Sequence, residues 1–208
     1  MLLGPSDPLP VRPRRILLTG CSGSGKSTLG RALEARLGLP YTELDGLFHG
    51  PDWVPRPEFA ADVAAVAAGE EWITEYGYSV ARPLVLPRAE LLVWLDLPRP
   101  AVMRQIVPRT VVRRLRRQEL WNGNVEPPFR SFLTDPDHIV RWAWRTHAET
   151  AVRVGQARER RPELPVVRLR SRRDVQRWLV GPVAALTPGA APVSGAAHPV
   201  ERSEPESA

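Results

Sequence analysis

The chain has 208 residues, 43% hydrophobic and 25% charged, which suits one α/β domain with a tail and excludes a fibrous or wholly disordered chain. No apolar run approaches the roughly 18 residues that span a bilayer, no signal-peptide core opens the chain, and one cysteine cannot form an internal disulfide, so a cytoplasmic setting is expected. The net charge of +6 rests on arginine, because Lys26 is the only lysine.

Residues 1–13 carry Pro5, Pro8, Pro10 and Pro13 and read as a flexible leader. Residues 14–19 form a short apolar strand that ends at Gly20. The segment 26–37 has helical spacing, with Leu29, Leu33 and Leu37 on one stripe and Gly38 as its stop. A second strand is expected over 40–44, followed by a loop rich in glycine, proline and aromatic residues over 46–57. An alanine-rich helix over 58–68 leads to a third strand over 71–75, and a fourth follows over 90–96. Pro98 and Pro100 turn the chain into a basic helix that a Trp-Asn-Gly-Asn turn at 121–124 interrupts. A long helix is expected over 137–160, a last strand over 165–169 and a short helix over 174–180. Strands that alternate with helices imply a parallel sheet covered on both faces. The domain is taken as 14–180, and 181–208, poor in large apolar residues, as a disordered tail.

Gly20-Cys21-Ser22-Gly23-Ser24-Gly25-Lys26-Ser27 fits the Walker A pattern, and Thr28 follows it. The chemistry needs this composition. Glycines let backbone N–H groups curl into a nest for phosphate oxygens, and the next helix adds the positive end of its dipole. Lys26 is expected at the β and γ phosphates, where a compact ammonium fits and a planar guanidinium does not. Ser27 offers its hydroxyl to Mg²⁺, while Cys21 reads as a small filler. A guanine-reading Asn-Lys-x-Asp motif is impossible without a second lysine. Strand four ends Leu95-Asp96-Leu97-Pro98, so it lacks the Asp-Glu pair of motor-type ATPases. Small kinases remain.

Over about residues 16–179 the sequence resembles the adenylate-kinase-like branch of P-loop phosphotransferases. It looks closest to the bacterial adenylate-kinase-related proteins often labelled topology modulation proteins. The likeness rests on the stretches 18–28, 44–49 (Leu-Asp-Gly-Leu-Phe-His), 93–98, Arg109-Thr110 and 120–124 (Leu-Trp-Asn-Gly-Asn). It implies a three-layer P-loop NTPase fold with a five-stranded parallel sheet, helices on both faces and an arginine-rich helical lid at about 104–135. It also implies ATP and Mg²⁺, and transfer to a nucleotide or small metabolite. Where such proteins often have Asp-Gly-Asn-Tyr-Ser, this chain has Glu75-Tyr76-Gly77-Tyr78-Ser79. Glu75 keeps the carboxylate expected to support the metal, with Asp96 as its competitor for that role.

Asp45, at the expected end of strand two, and Arg56 are the candidate acceptor contacts, with Arg141 on the opposing jaw. Arg109, Arg113 and Arg117 are expected to neutralise charge on the transferring phosphoryl group from one helical face. The same arginine cluster leaves nucleic-acid binding open as a rival, and a nucleotide-dependent regulatory protein with little turnover is the alternative to a kinase. His138 and His147 read as ordinary helix residues. Trp72, Trp94, Trp142, Trp144 and Trp178 read as core. Acceptor identity and oligomeric state are left open.

Overall fold

The computed structural model describes residues 1–128, 130 and 138–186. Its strands are β1 (Leu2–Leu3), β2 (Arg15–Gly20), β3 (Tyr41–Thr42), β4 (Trp72–Glu75), β5 (Leu91–Leu95) and β6 (Val166–Leu169), and its main helices α1 (Lys26–Leu37), α2 (Leu44–Phe48), α3 (Phe59–Ala68), α4 (Arg82–Val85), α5 (Arg99–Leu115), α6 (Ile139–Thr146), α7 (Glu149–Arg160) and α8 (Arg172–Val180). The strands form one sheet in the order β1-β6-β5-β2-β4-β3, and every pairing is parallel.

Strand β2 lies at the centre because Ile16, Leu17 and Leu18 are fully buried, the continuous apolar run of a strand covered on both faces. The two-residue strand period divides them. Ile16 and Leu18 pack with Leu29 and Leu33 of α1, Val102 of α5 and Trp178 of α8. Leu17 packs with Phe59 and Val63 of α3, Val85 of α4, and Val154 and Ala157 of α7. The result is three layers. Among the described residues, no helix is long and apolar enough to cross a membrane.

The sheet has six strands rather than five. The extra one comes from the expected leader: Leu2 and Leu3 pair with Val166 and Val167, Leu3 is buried, and the Arg12 guanidinium donates to the Leu37 carbonyl at 2.8 Å. The prolines of this stretch follow β1 and do not interrupt it. The expected tail also begins too early, since Val183 is fully buried and 184–186 forms a 3-10 turn; residues 187–208 lie outside the described residues, as do Phe129 and 131–135 of the expected lid. The long helix expected over 137–160 is two helices, with Asp137 outside the described residues. His147 sits at their joint, its Nε2 2.7 Å from the Leu97 carbonyl oxygen, and His138 caps α6 by accepting from the Val140 N–H at 3.3 Å. Trp142 and Trp144 are not core. They are 42% and 55% exposed, and each lies beneath a guanidinium, that of Arg145 and Arg99 respectively.

Candidate functional site

The crevice of a doubly wound sheet opens at the carboxyl ends of its strands, where the strand order reverses. Here β2 is flanked by β5 and β4, and the glycine-rich loop leaves its carboxyl end. Gly23 and Gly25 hold φ of 81° and 99°, a left-handed backbone that glycine adopts without a Cβ penalty. Gly25 caps α1 with no side-chain hydrogen bond, so the first amides of α1 are not met by a side chain. A Cβ on Gly23 would lie 2.7 Å from Ile106 Cβ, which shows how closely α5 rests on the loop. The Ser24 hydroxyl is buried without a hydrogen-bond partner, and Cys21 is buried too; burial raises the Cys21 thiol pKa and keeps it neutral.

Lys26 points back over this loop. Its ammonium donates to the Gly20 carbonyl at 3.3 Å and stands 4.0 Å from Glu75. Glu75 ends β4 and is buried, and burial lifts its pKa to about 7. The charges of Asp45 and Glu43 add to the rise, while Lys26 and the Tyr41 hydrogen bond oppose it. The Tyr41 hydroxyl donates to Glu75 at 3.1 Å. Gly30 makes room for this, because a Cβ there would meet the Tyr41 ring at 2.4 Å.

The Ser27 hydroxyl donates to Glu43, a residue not singled out in the sequence. Trp121 Nε1 donates to the other Glu43 oxygen at 3.2 Å, and Arg31 pairs with it at 3.4 Å. Asp45 lies in the first turn of α2, not at the end of a strand, because β3 stops at Thr42. It accepts from the Tyr78 hydroxyl at 2.6 Å. Among the described residues, no three metal-binding side chains gather closely enough to hold a metal alone. Magnesium in kinase sites takes one or two protein oxygens and completes its shell with phosphate and water. The hard oxygens of Ser27, Glu43 and Glu75 beside an open nest fit that demand.

The remaining candidates divide. Arg109 follows Ile106 by one turn on the face that touches the loop. Burial and then the charge of Arg113 lower its pKa, while Glu126, Asp45 and Glu43 oppose them. Among the described residues its buried Nε has no hydrogen-bond partner. Arg113 instead pairs with the buried Glu126 at 3.6 Å. Arg117 is not on the helical face expected of it, because α5 ends at Leu115 and Arg117 takes a left-handed φ of 45° at an exposed position. Arg56 turns toward α3, pairing with Asp62 at 3.0 Å and donating to the Leu47 carbonyl at 3.3 Å, so its guanidinium is engaged within the fold. Arg141 is exposed on α6. Asp96 accepts from Arg168 Nε at 2.7 Å, a strut between the end of β5 and β6. Thr28 is exposed and Ser22 half-buried.

The Trp-Asn-Gly-Asn turn packs on the segment that carries Asp45. The Asn124 amide donates to the Gly50 carbonyl at 2.8 Å and accepts from the Trp53 N–H at 3.0 Å. The Asn122 amide donates to the Gly46 and His49 carbonyls. The 118–126 segment is thereby fastened to 44–56, with Trp121 against Gly46.

No family model matches the chain, and no curated protein does. Solved structures with a similar fold include a gluconokinase from Sinorhizobium meliloti 1021, 19% identical, with 84% of this chain and 94% of that one covered and a TM-score of 0.44. A shikimate kinase from Bacteroides thetaiotaomicron is 18% identical, with 81% and 96% covered and a TM-score of 0.43. A shikimate kinase from Acinetobacter baumannii, in complex with shikimate, is 17% identical, with 83% and 88% covered and a TM-score of 0.42.

Proposed function

We propose that this protein is a Mg-ATP-dependent phosphotransferase that acts on a small acceptor, a nucleotide or a metabolite. The observation that carries the reading is the meeting of Lys26, Ser27, Glu43, Asp45 and Glu75 in one crevice at the carboxyl ends of the strands. A loop that only bound nucleotide would have no use for Asp45, held by Tyr78 on the acceptor side. The resemblance of the 44–49 and 120–124 stretches to topology modulation proteins supports the same class.

In this reading the loop amides and Lys26 hold the triphosphate, while Ser27, Glu43 and Glu75 hold the metal directly or through water. Bound there, Mg²⁺ supplies charge neutralisation and orientation of the phosphates. Asp45 receives the proton of the acceptor hydroxyl as its oxygen bonds to the γ phosphorus and the bond to ADP breaks. Arg109 lies where charge builds on the equatorial oxygens.

The test is ATP-dependent transfer across panels of nucleotides, sugars and hydroxy acids, with nucleotide binding measured in parallel. Asp45→Asn is expected to lower kcat by about a hundredfold or more while ATP affinity changes little. Lys26→Ala is expected to weaken nucleotide binding itself. Tight ATP binding with no transfer to any acceptor would favour the regulatory alternative, and unchanged binding in Lys26→Ala would remove the whole class.

A further inference from the structure

The turn that follows β4 is held by an arginine of α7 and leads into a second arginine at the start of α4. Arg153 on α7 reaches across to it, with Nη1 donating to the Gly77 carbonyl at 3.4 Å, Nη2 to Thr150 Oγ1 at 3.1 Å and Nε to the Glu149 carbonyl at 3.3 Å. On the other side Arg82 begins α4, its backbone N–H donating to the Tyr78 carbonyl at 3.1 Å. Tyr78, between them, directs its hydroxyl to Asp45.

The partners of Arg153 are two carbonyls and a hydroxyl. They satisfy N–H groups but neutralise no charge, and a guanidinium has five N–H donors, so donors remain. Among the described residues, neither Arg153 nor Arg82 forms an ion pair. The Arg82 Nε is buried without a partner. Burial lowers the Arg153 pKa and the nearby Arg82 charge lowers it further, with Glu149 acting against both; the Cys21 thiol at the start of the phosphate loop also feels Arg153. Two half-buried cations flanking the 77–81 turn, neither ion-paired among the described residues, form an arrangement that an oxyanion completes.

We infer that Arg82 and Arg153 form an oxyanion subsite beside the 77–81 turn, which holds a phosphate or carboxylate group carried by the acceptor. The inference rests on the phosphotransferase reading and narrows it: the acceptor is an anion, and its charged group lies on the Arg153 side of Asp45. Arg56 and Arg141 are not needed for this role.

Calorimetry tests the subsite on the full chain with Mg²⁺ and a saturating non-hydrolysable ATP analogue, so that the phosphate loop is already filled. Inorganic phosphate is titrated in one arm and acetate in the other, at constant ionic strength. The wild type is expected to bind at least one of them, and the stronger of the two identifies the acceptor's anionic group. Arg153→Gln and Arg82→Gln should each weaken that binding about tenfold, Arg153→Lys should recover part of it, and analogue affinity should stay within about threefold throughout. If Arg153→Gln does not fold, Arg153→Lys and Arg82→Gln decide the matter. Oxyanion binding that is absent in the wild type, or unchanged in the variants, overturns the subsite and leaves the kinase reading standing. Analogue affinity that falls in step with phosphate moves the arginines to the nucleotide and overturns the acceptor assignment. A wild-type protein that binds no analogue overturns the kinase reading itself.

Discussion

Glu75 is a carboxyl whose surroundings pull in opposite directions. It is buried at the end of β4 beside Asp45 and Glu43, and its compensation is one ammonium at 4.0 Å and one tyrosine hydroxyl. A carboxyl with a pKa of about 7 in the fold, against 4.5 ordinarily, binds its proton more tightly when folded. Its contribution to stability is therefore fully present below pH 4.5 and is lost as pH rises through about 7. Glu75→Gln keeps an acceptor for Tyr41 but has no charge to bury. In metal-free, nucleotide-free protein it is expected to unfold at higher temperature than wild type at pH 8, by on the order of 1–3 kcal/mol, with the gap closing below about pH 5. Thermal unfolding across pH checks this, and a gap that stays constant with pH would mean that Glu75 is ionised throughout. The same variant should bind Mg-nucleotide less tightly. A residue that weakens the empty fold and serves the filled site is the stability–activity conflict expected at a binding centre.

At the scale of elements, the 44–56 and 118–126 segments depend on each other. Each contains non-glycine left-handed backbone, at Asp52 and Trp53 in one and at Asn122 in the other, and such conformations persist only where surroundings fix them. Asn124 does much of that fixing, since its buried amide bonds the Gly50 and Trp121 carbonyls and receives the Trp53 N–H. Asn124→Ala should cost about 2–3 kcal/mol, because the buried Gly50 carbonyl and the part-buried Trp53 N–H lose the side-chain amide as their partner. It should also raise the acceptor KM more than the ATP KM, since the clasp packs directly on Gly46 beside Asp45 and reaches the phosphate loop only through Glu43. A wild-type melting temperature, or equal effects on both KM values, would contradict this. The turn's presence was legible in the sequence as Trp-Asn-Gly-Asn, but the segment it clasps was not, because the partners are more than seventy positions apart. The same division runs through the rest of the chain. Helix α1 matches its expected bounds because its apolar stripe and Gly38 are local signals. Helices α2 and α4 were missed because Gly46, Pro83 and Pro87 look like loop residues. The phosphate loop could be read directly because it is contiguous. Glu43, Tyr78 and Arg153 join the site only through sheet order and helix direction, and the same unread geometry sends Arg56 to Asp62 and Arg117 out of α5.

Across the whole molecule, the sheet separates stability from chemistry. The crevice is built at β2, β4 and β3, whereas β1 adds the opposite edge beyond β6. Prolines make residues 1–13 read as a flexible leader, yet Leu3 is buried against the core, the Val166 N–H donates to the Met1 carbonyl at 2.9 Å, and Arg12 ties the segment to the end of α1. Removing residues 2–12 should lose about 2 kcal/mol from Leu3 and about 1 kcal/mol for each backbone or guanidinium bond. For a domain of this size that corresponds to a fall of roughly 10 °C in Tm. It would also leave the donors and acceptors of β6 as an open edge, a template for pairing with a second chain. Self-association at high concentration, measured by sedimentation, is therefore expected of the truncated protein and not of the full chain. Leu3→Asp should reproduce the loss of stability without removing any backbone. Nucleotide affinity at a temperature where both proteins are folded should be unchanged, because β1 lies at the edge beyond β6 and the phosphate loop leaves the central strand β2. A truncated protein with wild-type Tm would restore the detachable leader, and one with full stability but weakened nucleotide binding would show that this edge reaches the site after all.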